Sequence, residues 1–222
     1  MVTESDSVKS SKTGASEPLH PEEAVTSVYL IRHGHTEFTE QGKLYTDPEV
    51  ALTESGRLQA LKAGNWLIAE KPEVLLSSTS KRVWASAEII GEAIGLPPNA
   101  VQDLNEWNVG SWDGHKYVDI KATDPELYKA WSLDPIKNRP PGGESIEDVV
   151  QRVETRLEQL LKEHSGKKIA MVSHAGIIRA LIVQALGMPV NNFWRVNIPT
   201  GSITKIDFSA NFATMQMMAI RP

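Results

Sequence analysis

The sequence predicts an α/β fold: a three-layer α/β/α sandwich around a mostly parallel central sheet. Three observations carry that expectation. Short apolar runs without polar alternation, as in strands buried on both faces, stand at Val28-Tyr29-Leu30-Ile31, Val74-Leu75-Leu76 and Ile169-Ala170-Met171-Val172. Segments of helical period alternate with them, and Gly and Pro punctuate the junctions. Residues 25–222 contain neither an internal repeat nor a linker, so they read as one domain.

After the first run, Thr53 is placed to cap a helix that carries Leu58, Leu61, Gly64, Leu67 and Ile68 on one side. The second run leads into a helix with Val83, Trp84, Ala87, Ile90 and Ile94 at helical spacing, stopped by Gly95 and Pro97-Pro98. Pro140-Pro141-Gly142-Gly143 is a turn. The most regular helix follows, with Ile146, Val149, Val150, Val153, Leu157, Leu160 and Leu161, and Gly166 ends it. The third run precedes a nearly all-apolar helix over residues 176–186, closed by Gly187 and Pro189. From about Ser202 to Ile220 two strands flank a turn at Ser209-Ala210-Asn211.

Composition narrows the classes of function. The chain has 222 residues, 41% of them hydrophobic, and a net charge of −5 from 23 Lys and Arg against 28 Asp and Glu. That excludes full disorder and argues against a general nucleic-acid coat, while leaving room for local positive pockets. The absence of Cys excludes a disulfide framework, a thiol nucleophile and a thiolate metal site. No apolar run reaches the ~18 residues of a spanning helix, so no membrane partner is expected and the default location is cytoplasmic. Residues 1–24 are rich in Ser, Thr and acids and hold almost no large apolar side chains, which predicts a disordered leader rather than a targeting segment.

Each buried run ends in polar chemistry. The first runs into Arg32-His33-Gly34-His35-Thr36, the second into Ser77-Ser78-Thr79-Ser80-Lys81-Arg82, the third into Ser173-His174-Ala175-Gly176. In open α/β sheets, ligands bind outside the carboxyl ends of the strands. Two histidines and two arginines are thereby expected to share one crevice, with the free N–H groups of two helix N-termini pointing into it. Such a crevice attracts phosphate, with a histidine as nucleophile or base.

Those residues carry a resemblance. Arg32-His33-Gly34, Arg82 in a Ser-rich helix start, Glu106 within Leu104-Asn105-Glu106-Trp107, and Ser173-His174-Ala175-Gly176 resemble the histidine phosphatase (phosphoglycerate-mutase-like) superfamily. Leu52-Thr53-Glu54-Ser55-Gly56 and Pro141-Gly142-Gly143-Glu144-Ser145 match it too, and the resemblance spans about residues 26–220. It implies that His33 is the nucleophile, becoming a phosphohistidine, and that Arg32, Arg82 and His174 hold the non-bridging oxygens. Glu106 would protonate the leaving alkoxide and then take a proton from the attacking water, a role that requires a raised pKa. The catalytic set is thus Arg32, His33, Arg82, Glu106 and His174, and the substrate-binding set Arg32, Thr39, Arg82, His174 and Ala175.

Two positions depart from the family pattern: His35 stands where Glu is common and Thr39 where Asn is common. Thr39 keeps a hydroxyl for phosphate, and His35 is read as a residue that orients the loop. Gly176 stands where the mutases carry Asn, and residues 115–140 hold Arg139 alone instead of an Arg-rich insertion. Both favour water as the acceptor, and therefore a metal-independent phosphatase acting on a small phosphomonoester, over a mutase. Residues 115–140 are expected to form a lid, with Lys43, Tyr45 and Arg139 as further substrate contacts. Two other readings are carried along: a metal-dependent hydrolase built on His33-Gly34-His35, and a phosphate-ester sensor without turnover. No cofactor is implied, the partner is a small phosphate ester, and the oligomeric state is open, a homodimer included.

Overall fold

The computed structural model describes residues 24–210 and 212–222. The leader expected over residues 1–24 lies, apart from Ala24, outside the described residues, as does Asn211 of the predicted turn. The strands are β1 (Thr26–Arg32), β2 (Val74–Ser77), β3 (Asn99–Ala100), β4 (Lys168–Ser173), β5 (Ile203–Phe208) and β6 (Ala213–Ile220). They form one sheet in the order β3-β2-β4-β1-β5-β6. The pairings β2–β3, β2–β4 and β1–β4 are parallel, and β5 joins β1 and β6 antiparallel. The helices are α1 (Glu37–Glu40), α2 (Glu54–Glu70), α3 (Lys81–Ile94), α4 (Tyr117–Thr123), α5 (Pro125–Leu133), α6 (Ile146–Glu163) and α7 (Ala175–Ala185).

Side chains along a strand alternate between the two faces of the sheet, and the core divides accordingly. Val28 and Leu30 join Leu76, Ile169 and Met171 in a cluster with the apolar faces of α6 and α7. Tyr29 and Ile31 join Leu75, Ala170 and Val172 against α2 and α3. Helices thus cover both faces, and the three-layer α/β/α sandwich expected from the apolar runs is the observed fold. Among the described residues, no helix is long and apolar enough to cross a membrane.

Caps follow the sequence signals. Thr53 accepts from the Gly56 N–H at the start of α2, and Gly95 closes α3 in the left-handed region, with φ of 74°. Ser145 and Asp148 form a reciprocal capping box at the start of α6.

The face assigned to α2 needs correction. Leu58, Leu61 and Ile68 are 53%, 44% and 52% exposed, while Gly56, Ala60, Ala63, Gly64 and Leu67 are buried. The reason is close helix packing. A methyl group added at Gly64 would lie 2.9 Å from the Ala93 Cβ and 3.1 Å from the Ile90 Cα, so α2 and α3 meet closest at that glycine.

Candidate active site

The carboxyl ends of β1, β4 and β2 lie side by side, and the chain leaves each of them into the same crevice. After β1, Gly34 presses on the first turn of α2. A Cβ there would stand 2.1 Å from the Gly56 carbonyl oxygen, and one on Gly56 would stand 2.2 Å from that of His35. The paired glycines let the loop carrying His33 seat on the α2 N-terminus. His35 fastens the same loop: its N–H donates to Gln59, its carbonyl accepts from the Thr53 N–H, and its ring Nδ1 lies 3.0 Å from the Thr53 hydroxyl. Its ring is thus bonded at the α2 cap, away from the cavity lining, which removes the joint His33–His35 metal site. Among the described residues, no three His, Cys, Asp or Glu side chains are grouped as a metal-ligand set.

His33 is buried, and its Nδ1 lies 2.8 Å from the Gly34 carbonyl. A carbonyl only accepts, so Nδ1 carries the proton and Nε2 keeps the lone pair. Burial, reinforced by Arg82 and Arg32, holds the His33 pKa well below the usual imidazole value. The His174 ring centroid lies 5.3 Å from that of His33. His174 Nδ1 accepts from Arg82 at 3.2 Å, and its Nε2 meets Ser78 Oγ at 2.9 Å. Ser78 donates its one hydroxyl proton to Asn105 Oδ1 at 2.6 Å, so the Nε2–H of His174 is the donor to Ser78. The ring is therefore neutral, and burial followed by the Arg82 charge keeps its pKa low.

Arg82 is among the largest fully buried side chains of the described residues. It donates to the Asp47 carbonyl at 2.7 Å and to His174, and it stacks 4.6 Å from the Tyr45 ring centroid. Arg32 donates to the Ile198 carbonyl at 2.6 Å. Among the described residues, the buried Nε atoms of both find no hydrogen-bond partner. Thr39, Thr36 and Tyr45 hydroxyls form a triangle with edges of 2.8–3.0 Å, and Thr39 and Tyr45 face the cavity.

Glu106 sits opposite. Three contacts pin its loop: Ser173 Oγ donates to the Leu104 carbonyl, Arg152 donates to the Asp103 and Asn105 carbonyls, and Asn105 binds Ser78 and Thr79. Glu144 in turn holds Arg152 at 3.1 Å, which gives the Pro141–Ser145 motif its place in the site. The Glu106 carboxylate accepts from the Trp107 N–H at 3.1 Å and the Gly176 N–H at 3.3 Å. Burial outweighs those donors and both arginines and raises its pKa. A Cβ at position 176 would stand 2.4 Å from Glu106 Oε1. Gly176→Ala is therefore expected to push the carboxyl away and to mimic Glu106→Gln. Turnover of an alkyl phosphate falls at least about 10-fold, and turnover of p-nitrophenyl phosphate, whose leaving group needs little protonation, stays within a factor of about 3. Steady-state rates on the two esters check this.

Arg32, His33, Thr39, Arg82, Glu106 and Ala175 thus line one cavity of about 310 Å³, joined by Lys43 and Tyr45, with His174 beneath it. Two expectations need correction. Arg139 is not among the lining residues; it pairs with Asp148 at 3.1 Å on the surface. At the helix N-termini some of the N–H groups are taken within the protein. The Lys81 N–H goes to the Pro48 carbonyl, the Ser80 N–H to Ser78, and the Gly176 N–H to Glu106. From residues 115–140 only Tyr117 reaches the lining, because Trp131 is buried among Trp107, Trp112, Tyr117, Tyr128 and Trp194. Sequence reasoning missed Arg179, Phe193 and Trp194. The available signal was the one charged residue within the apolar run of α7, three positions beyond Gly176.

An α/β sheet with cations and a buried histidine at its carboxyl ends defines a protein that handles phosphate esters. The chain belongs to the histidine phosphatase superfamily (branch 1), whose family model matches residues 28–221. It is 29% identical over 194 residues to the adenosylcobalamin/alpha-ribazole phosphatase of Escherichia coli, covering 87% of this chain and 96% of that protein. It is 30% identical over 176 residues to the glucosyl-3-phosphoglycerate phosphatase of Mycolicibacterium vanbaalenii, covering 76% and 78%. Its fold matches the crystal structure of a putative alpha-ribazole-5′-P phosphatase from Escherichia coli with a TM-score of 0.81, 30% identity and coverage of 88% and 97%. Its class is that of a phosphatase acting on a small phosphomonoester.

Proposed function

We propose that this protein hydrolyses its phosphomonoester in two steps through a phosphohistidine on His33, without a metal ion. The reading rests above all on His33 held as the Nδ1–H tautomer, with Nε2 unprotonated, in the cavity shared by Arg32, Arg82 and Glu106. In the first step Nε2 attacks phosphorus, the P–O ester bond breaks, and the Glu106 carboxyl gives its proton to the departing oxygen. In the second, the Glu106 carboxylate takes a proton from water, the resulting oxygen attacks phosphorus, and the N–P bond breaks. Arg32 and Arg82 supply fixed charge where the transferring group develops its own. Thr39 and Ala175 border the phosphate. His174, neutral beneath the cavity, accepts from Arg82 through Nδ1 and so helps to hold that guanidinium against the phosphate.

The test is rapid quenching during turnover in excess chelator. A phosphate that is labile to acid and stable to base should appear on the wild-type protein at up to one per chain and be absent from His33→Ala. Turnover that dies with chelator, or a full signal in the variant, would refute the proposal.

A further inference from the structure

Arg82 is the cavity end of a hydrogen-bond relay that begins outside the cavity. Asn105 Oδ1 accepts from the Thr79 N–H at 2.9 Å. A backbone N–H only donates, so it fixes which way the Asn105 amide faces, and Nδ2 turns to Thr79 Oγ1 at 2.9 Å. An amide oxygen only accepts, so Ser78 spends its one proton on Oδ1 at 2.6 Å. The Ser78 oxygen is left to accept from the Ser80 N–H at 3.3 Å and from His174 Nε2 at 2.9 Å. His174 Nδ1 therefore keeps its lone pair for Arg82, 3.2 Å away. Every link runs from donor to acceptor in one direction, from Arg82 through His174 and Ser78 to Asn105.

The direction matters at the cavity. Each terminal nitrogen of Arg82 has one protein acceptor, the Asp47 carbonyl for Nη1 and His174 Nδ1 for Nη2. Were the His174 proton on Nδ1, Nη2 would face a second donor, and one of the two anchors would become a repulsion. Ser78 and His174 are both 0% exposed, so water has no access to repair the link. Asn105 and Ser78 are absent from the cavity lining.

We propose that Asn105 is a positioning residue: through Ser78 it holds His174 as the Nε2–H tautomer, and so keeps Arg82 directed at the transferring phosphoryl group. The proposal rests on the phosphatase reading and adds to it a residue that touches neither substrate nor reacting atoms. The test is Asn105→Leu, which removes the acceptor. The freed Ser78 hydroxyl then turns to donate to Nε2, and the ring proton exchanges to Nδ1. Nitrogen NMR of ¹⁵N-histidine-labelled protein, with His174 assigned by the loss of its signals in His174→Gln, should show the proton on Nε2 in the wild-type chain and on Nδ1 in the variant. Turnover should fall about 10–100-fold, the scale on which partners orient functional imidazoles from behind in metal sites. The loss should be equal on an alkyl phosphate and on p-nitrophenyl phosphate, and the inhibition constant of inorganic phosphate should rise with it, because both depend on Arg82. Asn105→Asp keeps an oxygen for both donors and should restore the Nε2–H form and most of the activity. Ser78→Ala, which breaks the relay without altering the Glu106 loop, should repeat the equal losses, and it carries the test if Asn105→Leu does not fold. A wild-type His174 protonated on Nδ1 would overturn the proposal and leave the His33 reading standing. So would a loss confined to the alkyl phosphate, which would mean that Asn105 merely supports the neighbouring Glu106, or full activity in Ser78→Ala. A wild-type protein that turns over neither ester would instead bring down the phosphatase reading, and the proposal with it.

Discussion

His33→Ala is expected to lower kcat by at least about 10³-fold on every ester, including p-nitrophenyl phosphate, because the variant loses the atom to which the phosphoryl group transfers. The leaving-group ability that rescues a missing acid cannot rescue a missing nucleophile, which separates His33 from Glu106. The same variant has a second readout. His33 and His174 are both buried neutral, with pKa values held well below the usual imidazole value. In the unfolded chain they would protonate near ~6.5. The unfolded state therefore binds more protons below that pH. The stability these two groups contribute is fully present above it and is lost as pH falls toward their depressed folded values. Removing one of the two should make the acid-side loss shallower. Urea unfolding midpoints at pH 5 and pH 7.5 should differ less in His33→Ala than in the wild-type chain. An equal or larger difference would show that His33 is not held neutral by its surroundings.

The parts of this molecule legible from sequence are those in which one local pattern has one physical solution. β1, β2 and β4 are apolar runs bounded by polar residues, and nothing but a strand buried on both faces suits them. α6 carries Ile146, Val149, Val153, Leu157 and Leu160 at helical spacing, and every one is buried. Arg32, His33 and Ala175 reach one cavity because strand ends and their first loop residues have little freedom in where they point, Arg82 joins them from the first turn of α3, and Glu106 joins through contacts of its loop with Ser173 and Arg152. What escaped depends on partners distant in sequence. α2 turns Leu58 and Leu61 to solvent and buries Leu67, because α3 approaches Gly64 too closely for a larger side chain there, and only α3 discloses that. The N–H groups at the start of α3 are taken by Pro48 and Ser78, a local rearrangement that helix-terminus rules do not anticipate. Residues 115–140 are rich in aromatics, yet Trp194, which Trp131 meets, and Phe193, which Trp194 meets, lie beyond α7, so the segment forms a packed wall in place of the expected lid. Arg179 belongs to the same wall.

Arg82→Met is expected to separate activity from stability. Activity should fall about 10²–10³-fold, since a fixed cation beside the transferring phosphoryl group contributes on that scale. Stability should not follow. Arg82 is 1% exposed, no carboxylate lies within ion-pair distance of it among the described residues, and its Nε has no partner. Its protein counterweights are the Asp47 carbonyl, the neutral His174 ring and the face of Tyr45. Burial lowers the Arg82 pKa in consequence. A buried charge without a counterion destabilises, and methionine occupies much of the same volume without that penalty. Arg82 itself lines the cavity, so shortening it opens room for water to reach the carbonyl and imidazole left behind. The Tm of the variant should accordingly equal that of the wild-type chain or exceed it by up to about 4 °C, a gain of roughly 1 kcal/mol for a domain of this size. Inorganic phosphate should then discriminate. At 100 times its Kd it stabilises the wild-type chain by about 2.7 kcal/mol, because it supplies the counterion that Arg82 lacks, and the variant should lose most of that response. A variant that melts well below the wild-type chain and still responds fully to phosphate would mean that Arg82 is there for packing, and the anion site would have to be sought elsewhere in the cavity.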